Sequence, residues 1–173
     1  MSNIGNWPTQ RWPWIILAVT ALAFEIIALY FQYGMGLEPC IMCIYQRTAV
    51  FGVLFAAIIA AISPQNILFR LAGFIGWGVS AIWGTLIALE HVEMQTNTNP
   101  FAFFTCEIEP NFPSWMPLHH WIPSIFEATG SCDSIDWQFL GFSMPQWMIV
   151  VFAAYSVVFA LMFIIRFKHA KLI

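Results

Sequence analysis

Apolar residues in this chain gather into four long runs, separated by short polar breaks and one long polar stretch. The runs extend from about Trp14 to Tyr33, Ile41 to Ile62, Leu68 to Leu89 and Gln146 to Ile165. A hydrocarbon core of roughly 30 Å takes about 20 residues of helix at 1.5 Å of rise per residue. Each run meets that length. The pattern therefore predicts an all-α membrane protein, a four-helix transmembrane bundle. The breaks carry turn chemistry: Gly34 to Pro39, then Ser63-Pro64-Gln65-Asn66, with Met144-Pro145 leading into the last run. No small-residue cleavage site follows the first run, so an uncleaved anchor is expected. Residues 1–173 are read as a single integral membrane domain with outer loops at 34–40 and 90–145.

The second outer loop is too long for a simple connector. Within it, Pro117 stands at a plausible first helical position, and Leu118, Trp121, Ile122 and Ile125 follow helical spacing until Pro123 interrupts. This predicts a short amphipathic helix on the bilayer surface, with His119 and His120 on its wet face. A loop packed on the bundle accounts for the same residues. No internal repeat or low-complexity tract is seen.

Composition agrees with lipid as the solvent. Hydrophobic residues make up 60% of the 173 positions and charged residues 9%, far from the balance of a soluble domain. The net charge of −3 matters less than where the charges fall. Arg11, Arg70, Arg166, Lys168 and Lys171 lie on the side of the termini, with no acid among them. Glu38, Glu90, Glu93, Glu107, Glu109, Glu127, Asp133 and Asp136 lie on the other side, with no Lys or Arg. The positive-inside rule then puts both termini in the cytoplasm. With six Lys and Arg and no basic stripe, nucleic acid is not a partner this sequence suggests.

All four cysteines, Cys40, Cys43, Cys106 and Cys132, fall on the outer side, which is oxidising in a bacterium. Cys40 and Cys43 form a Cys-x-x-Cys pair at the mouth of the second run. A cysteine at a helix N-terminus or beside a cation is reactive as its thiolate. Inert staples are the commoner fate of outer cysteines. A Cys40–Cys43 bridge, however, closes too few residues to constrain an unfolded chain. Cys106 and Cys132 could be a conventional staple. Beside a Cys-x-x-Cys pair, a loop disulfide also suits a thiol–disulfide relay. A four-thiolate zinc site fits poorly, because such sites present two close pairs.

Arg47 follows Cys43 by four residues, so the two share a helix face. An arginine in a span costs about 2.5–3.5 kcal/mol near the bilayer centre. It either snorkels to the interface or stabilises a Cys43 thiolate and polarises an electron acceptor. His91 ends the third run at the level of Cys43 and is a candidate hydrogen-bond or proton donor to that acceptor, or simply a solvated side chain. Glu25, near the middle of the first run, is either protonated and hydrogen-bonded inside the bundle or part of a proton path. The sequence leaves that open. No Rossmann glycine pattern and no Cys-x-x-Cys-His is present, so an acceptor dissolved in the membrane, such as a quinone, fits best.

The chain resembles the DsbB family, the bacterial inner-membrane disulfide bond formation proteins. The likeness rests on Pro39-Cys40-Ile41-Met42-Cys43-Ile44-Tyr45-Gln46-Arg47, on Glu90-His91, and on Pro100-Phe101-Ala102 ahead of Cys106. It continues through Phe112-Pro113-Ser114-Trp115, Gly130-Ser131-Cys132, Trp137-Gln138-Phe139-Leu140-Gly141 and Met144-Pro145-Gln146-Trp147. Phe103-Phe104 lengthen the stretch before Cys106 slightly. The resemblance implies a quinone-dependent protein-disulfide oxidoreductase that reoxidises a periplasmic DsbA-like thioredoxin-fold protein. The acceptor it implies is ubiquinone, or menaquinone without oxygen. It also implies that Cys106 forms the mixed disulfide with the partner and that Cys132 is its loop-disulfide mate. Cys132 then exchanges with Cys40, leaving Cys43 as the thiolate that makes a charge-transfer adduct with quinone. Arg47 and His91 match family positions near the quinone.

Overall fold

Turn residues end the helices where the sequence breaks its apolar pattern. In the computed structural model, which describes residues 4–96 and 110–170, a 3-10 segment, Ile4–Thr9, leads into α1, Arg11–Leu29. α1 runs on through one wider π turn, Tyr30–Gly34. α2, Ile41–Ile62, begins at the predicted residue and stops at Ser63-Pro64. α3, Ile67–Thr96, continues about two turns beyond the predicted Leu89. The reason is its polar end: His91 is buried, and Gln95 bonds into the second loop rather than into solvent. The second loop carries two one-turn helices, α4 (Leu118–Trp121) and α5 (Pro123–Phe126), and a small hairpin, β1 (Gln138–Phe139) with β2 (Phe142–Ser143). α6, Met144–Ala170, is the fourth long helix, with Pro145 in its first turn, where a missing N–H costs nothing. The four candidate spans are Arg11–Gly34, Ile41–Ile62, Ile67–Thr96 and Met144–Arg166, each long and apolar enough to cross a membrane.

α1 packs on α2, α2 on α3, and α3 on α6, while the N-terminal 3-10 segment meets α6. α2 is the most enclosed span, with 61% of its apolar window buried, against 22% for α1 and 17% for α6. It is the central helix, and it carries the Cys-x-x-Cys pair. Lipid gives no hydrophobic drive between helices, so close backbone approach has to hold them together. Small residues supply it: Ala49, Ala56, Ala57 and Ala60 on α2 are all buried, as are Ala81 and Ala88 on α3. At Gly73 a Cβ would stand 2.5 Å from the Ala60 Cβ, so this crossing admits no side chain. Beside this crossing the core is aromatic. Trp14 sets its edge against Phe74 at 5.1 Å and Trp77 at 6.1 Å between centroids.

The surface segment is partly exposed and partly packed on the bundle. Pro123 splits the expected helix into α4 and α5. Trp115, Trp121 and Ile122 remain exposed, whereas Phe126 is buried against Phe51 and Phe112. His120 is exposed as expected. His119 departs from the wet-face reading, because it is partly covered and its ring stacks on Phe112.

Candidate active site

Pro39 and Cys40 are extended, and the helix begins one residue later, which makes Cys40 the N-cap of α2. A helix leaves its first N–H groups without partners, and here a sulfur supplies one of them. The Cys43 N–H donates to Cys40 Sγ at 3.3 Å. That cap brings the two sulfurs to 2.8 Å. Both are free thiols. Cys40 is 2% exposed and Cys43 is partly open. The hydrogen bond shared with Cys43, and then burial, push the Cys40 thiol well above the usual range.

His91 is brought to the pair by α3. Its Nε2 lies 3.6 Å from Cys40 Sγ, and its Nδ1 lies 3.2 Å from Gln46 Nε2. The Gln46 amide donates to Nδ1, so the ring proton sits on Nε2, on the side of the Cys40 sulfur, and the ring is also hydrogen-bonded to the Cys132 backbone. Both side chains are buried.

One turn further along α2, Arg47 is buried rather than snorkelled. Its Nη1 donates to Gln32 Oε1 at 2.9 Å and also to the Ile125 carbonyl in α5. Its Nε stands 3.9 Å from Glu25 Oε2. No hydrogen bond joins Arg47 to Cys43 among the described residues, and Nη2 has no hydrogen-bond partner among them. Glu25 is buried with neither carboxylate oxygen hydrogen-bonded, so the interhelical ion pair is its only counterweight among the described residues. The structure places Glu25 inside the bundle, as one reading expected, without the hydrogen bond that reading gave it among the described residues.

The second loop reaches back to the pair. The Thr129 and Gly130 N–H groups both donate to the Pro39 carbonyl, at 3.0 and 3.1 Å. A Cβ at Gly130 would lie 2.3 Å from the Glu38 carbonyl oxygen, so only glycine permits this approach. Two residues on, Cys132 is disulfide-bonded, 2% exposed, and packed in the same small cluster as Cys40, Ile41 and Met42. The Ser131 hydroxyl donates to Asp133 and holds its carboxyl below the usual range, shaping the turn around Cys132. Cys106, with its expected bond to Cys132 and the neighbouring Phe103-Phe104, lies outside the described residues.

Of the residues the sequence nominated, Cys40, Cys43, Cys132 and His91 meet at one end of the bundle, and Arg47 sits one turn below. The sequence reading missed Gln32, Gln46, Gly130 and Ile125. Glutamines inside apolar spans are a usable signal, since an unpaired amide in lipid is costly. Glu25 and Gln32 are also seven residues apart, hence on one face of α1. The backbone carbonyls of Pro39 and Ile125 had no sequence signal.

The Disulfide bond formation protein DsbB family matches residues 10–162. A Disulfide bond formation protein B from Pseudoalteromonas translucida (strain TAC 125) is 57% identical over 156 residues, 90% of this chain and 90% of that protein. One from Psychromonas ingrahamii (strain DSM 17664 / CCUG 51855 / 37) is 53% identical over 150 residues, 87% of this chain and 80% of that protein. One from Shewanella frigidimarina (strain NCIMB 400) is 47% identical over 171 residues, 99% of this chain and 100% of that protein. With a thiol pair capping the central helix of a four-span bundle, and with relatives matched along almost its whole length, the chain belongs to the DsbB family of disulfide bond formation proteins, multi-pass membrane proteins with a disulfide oxidoreductase role.

Proposed function

We propose that the chain sits in the bacterial inner membrane with both termini in the cytoplasm, and that it moves electrons from a periplasmic DsbA-like thioredoxin-fold protein to a membrane quinone. One observation carries this reading. A disulfide-bonded cysteine, Cys132, and a free one, Cys40, are buried in the same cluster beside a second free thiol.

A partner thiolate attacks Cys106 of the loop disulfide, forming a mixed disulfide and releasing Cys132 as a thiolate. Cys132 attacks Cys40 of the oxidised Cys40–Cys43 pair and releases Cys43. The partner's second thiol resolves the mixed disulfide, and Cys106 then displaces Cys40 from Cys132. The loop disulfide is restored, the partner is oxidised, and two electrons rest on Cys40 and Cys43 as a dithiol. Closing that pair again gives up two electrons and two protons. Ubiquinone, or menaquinone without oxygen, supplies the acceptor for them.

The residues present fit such a group. A buried guanidinium whose Nη2 has no hydrogen-bond partner among the described residues lies one turn below the partly open Cys43, and the His91 ring lies within 4.8 Å of the Cys43 sulfur. Arg47 and His91 would hold the carbonyl oxygens and favour the negative charge that reduction places there. Glu25 holds Arg47 from the other side.

The test is quinone reduction by purified protein supplied with a reduced thioredoxin-fold partner, in the natural chain and in each Cys→Ser variant. Cys43→Ser is expected to reduce no quinone. Cys106→Ser is expected to ignore the partner while still passing electrons from a small dithiol. Quinone reduction by Cys43→Ser at the natural rate would overturn the reading.

A further inference from the structure

We propose that the reduced Cys40–Cys43 pair, together with His91, is a binding site for one soft divalent cation of the zinc type, and that the bound ion holds the pair open against disulfide formation. Cys40 Sγ, Cys43 Sγ and His91 Nε2 all lie within 4.8 Å of one another. In a tetrahedral zinc site, bonds of about 2.3 Å to sulfur and 2.0–2.1 Å to nitrogen put sulfur and nitrogen about 3.6 Å apart, and two sulfurs about 3.8 Å apart. Cys40 Sγ and His91 Nε2 already stand at 3.6 Å. The sulfurs are at 2.8 Å and have to open by about 1 Å, which rotation of the partly exposed Cys43 side chain provides.

There is room for the ion and for a fourth ligand. A cavity of about 60 Å³ touches Cys40, Cys43 and His91, and is also lined by Gln95, Ser131 and Asp136. A water molecule needs about 10–15 Å³ of such space. The charges also close. A divalent cation displaces one proton from each thiol, and two thiolates, a neutral imidazole and the ion sum to zero. A neutral cluster is what a site with Cys40 and His91 each 2% exposed can hold without a buried net charge. Arg47 need not pair with these thiolates, because Gln32, the Ile125 carbonyl and Glu25 already surround it.

Gln46 supplies the outer partner that a metal-bound histidine needs. With the metal on Nε2, the ring proton moves to Nδ1. A half-turn of the Gln46 amide then presents its carbonyl in place of its NH₂, at the same position. An aspartate there could only accept and a lysine could only donate. The site is also gated by redox state, since the oxidised pair has no thiolate to offer. This is a different site from one made by all four cysteines: it uses no sulfur of Cys106 or Cys132, and the ion takes the place of the hydrogen bond between the His91 ring and the Cys132 backbone.

The experiment uses the full chain in detergent with Cys106→Ser and Cys132→Ser, reduced, freed of reductant, and titrated with Co²⁺ as the probe. One equivalent is expected to produce thiolate-to-cobalt charge-transfer absorption, and Zn²⁺ is expected to abolish it. Oxidising the pair beforehand is expected to remove the signal. His91→Ala is expected to weaken binding by at least about tenfold, and Gln46→Leu by about tenfold. In the unsubstituted chain, Zn²⁺ is expected to protect Cys40 and Cys43 together from alkylation, a readout that needs no variant. Equal binding by the oxidised pair, affinity unmoved by His91→Ala, or no protection from alkylation would each overturn the proposal. No quinone is involved in any of these measurements, so they stand or fall apart from the electron-transfer reading.

Discussion

Two sulfurs three residues apart have unlike surroundings. Cys40 is sealed beneath the second loop and keeps its proton, while Cys43 is partly open. Limited alkylation of the reduced protein should therefore mark Cys43 well before Cys40, as read by peptide mass spectrometry, and the reverse order would contradict the buried cap. Arg47 and Glu25 are coupled in the same residue-by-residue way. Removing one partner of a buried ion pair costs about 3–5 kcal/mol, because the other charge is left stranded. Arg47→Met alone should thus lower the thermal midpoint more than Arg47→Met combined with Glu25→Gln. Equal losses would mean that the 3.9 Å contact carries little energy. Cys40, Cys43, Arg47 and His91 stood out in the sequence because their chemistry is out of place at the mouth of an apolar helix or inside one. The fate of Glu25 was not, since its partner stands on another helix.

Helix limits were legible where the chain itself enforces them. α2 starts after Pro39 and ends before Pro64, and both ends matched expectation. α3 outran its apolar run because hydropathy reports lipid contact, whereas backbone hydrogen bonding continues wherever polar side chains find partners. The hairpin of β1 and β2 was not legible: each strand has two residues, and Leu140 is an unusual choice at φ 53°. At this scale the loop clamp makes the sharper forecast. Gly130→Ala would force a Cβ onto the Glu38 carbonyl and lift the Thr129–Gly130 amides from Pro39. Electron flow from a protein dithiol should fall at least several-fold, while flow from a small dithiol that reduces Cys40–Cys43 directly should stay near normal. A parallel loss of both would show that the clamp shapes the pair itself. On the far side of the core, Gly73→Val should cost about 1–3 kcal/mol by prising α2 from α3, measurable as a lower thermal midpoint in detergent.

Across the whole molecule, the four spans and the segregation of charge were the most legible features, since both follow from lipid as solvent. Membrane-impermeant maleimide should reach Cys43 from the side opposite the termini and not from the terminal side, and labelling from the terminal side would invert the topology. What one dimension concealed was how the outer loop and the bundle interior meet. The guanidinium of Arg47 grips the carbonyl of Ile125, in the segment whose exposed Trp121 and Ile122 face outward. A tug on that segment, by a docking protein or by shifting lipid, is therefore not mechanically silent. It would loosen a buried cation from its backbone tether and leave Gln32 and Glu25 as its remaining holds.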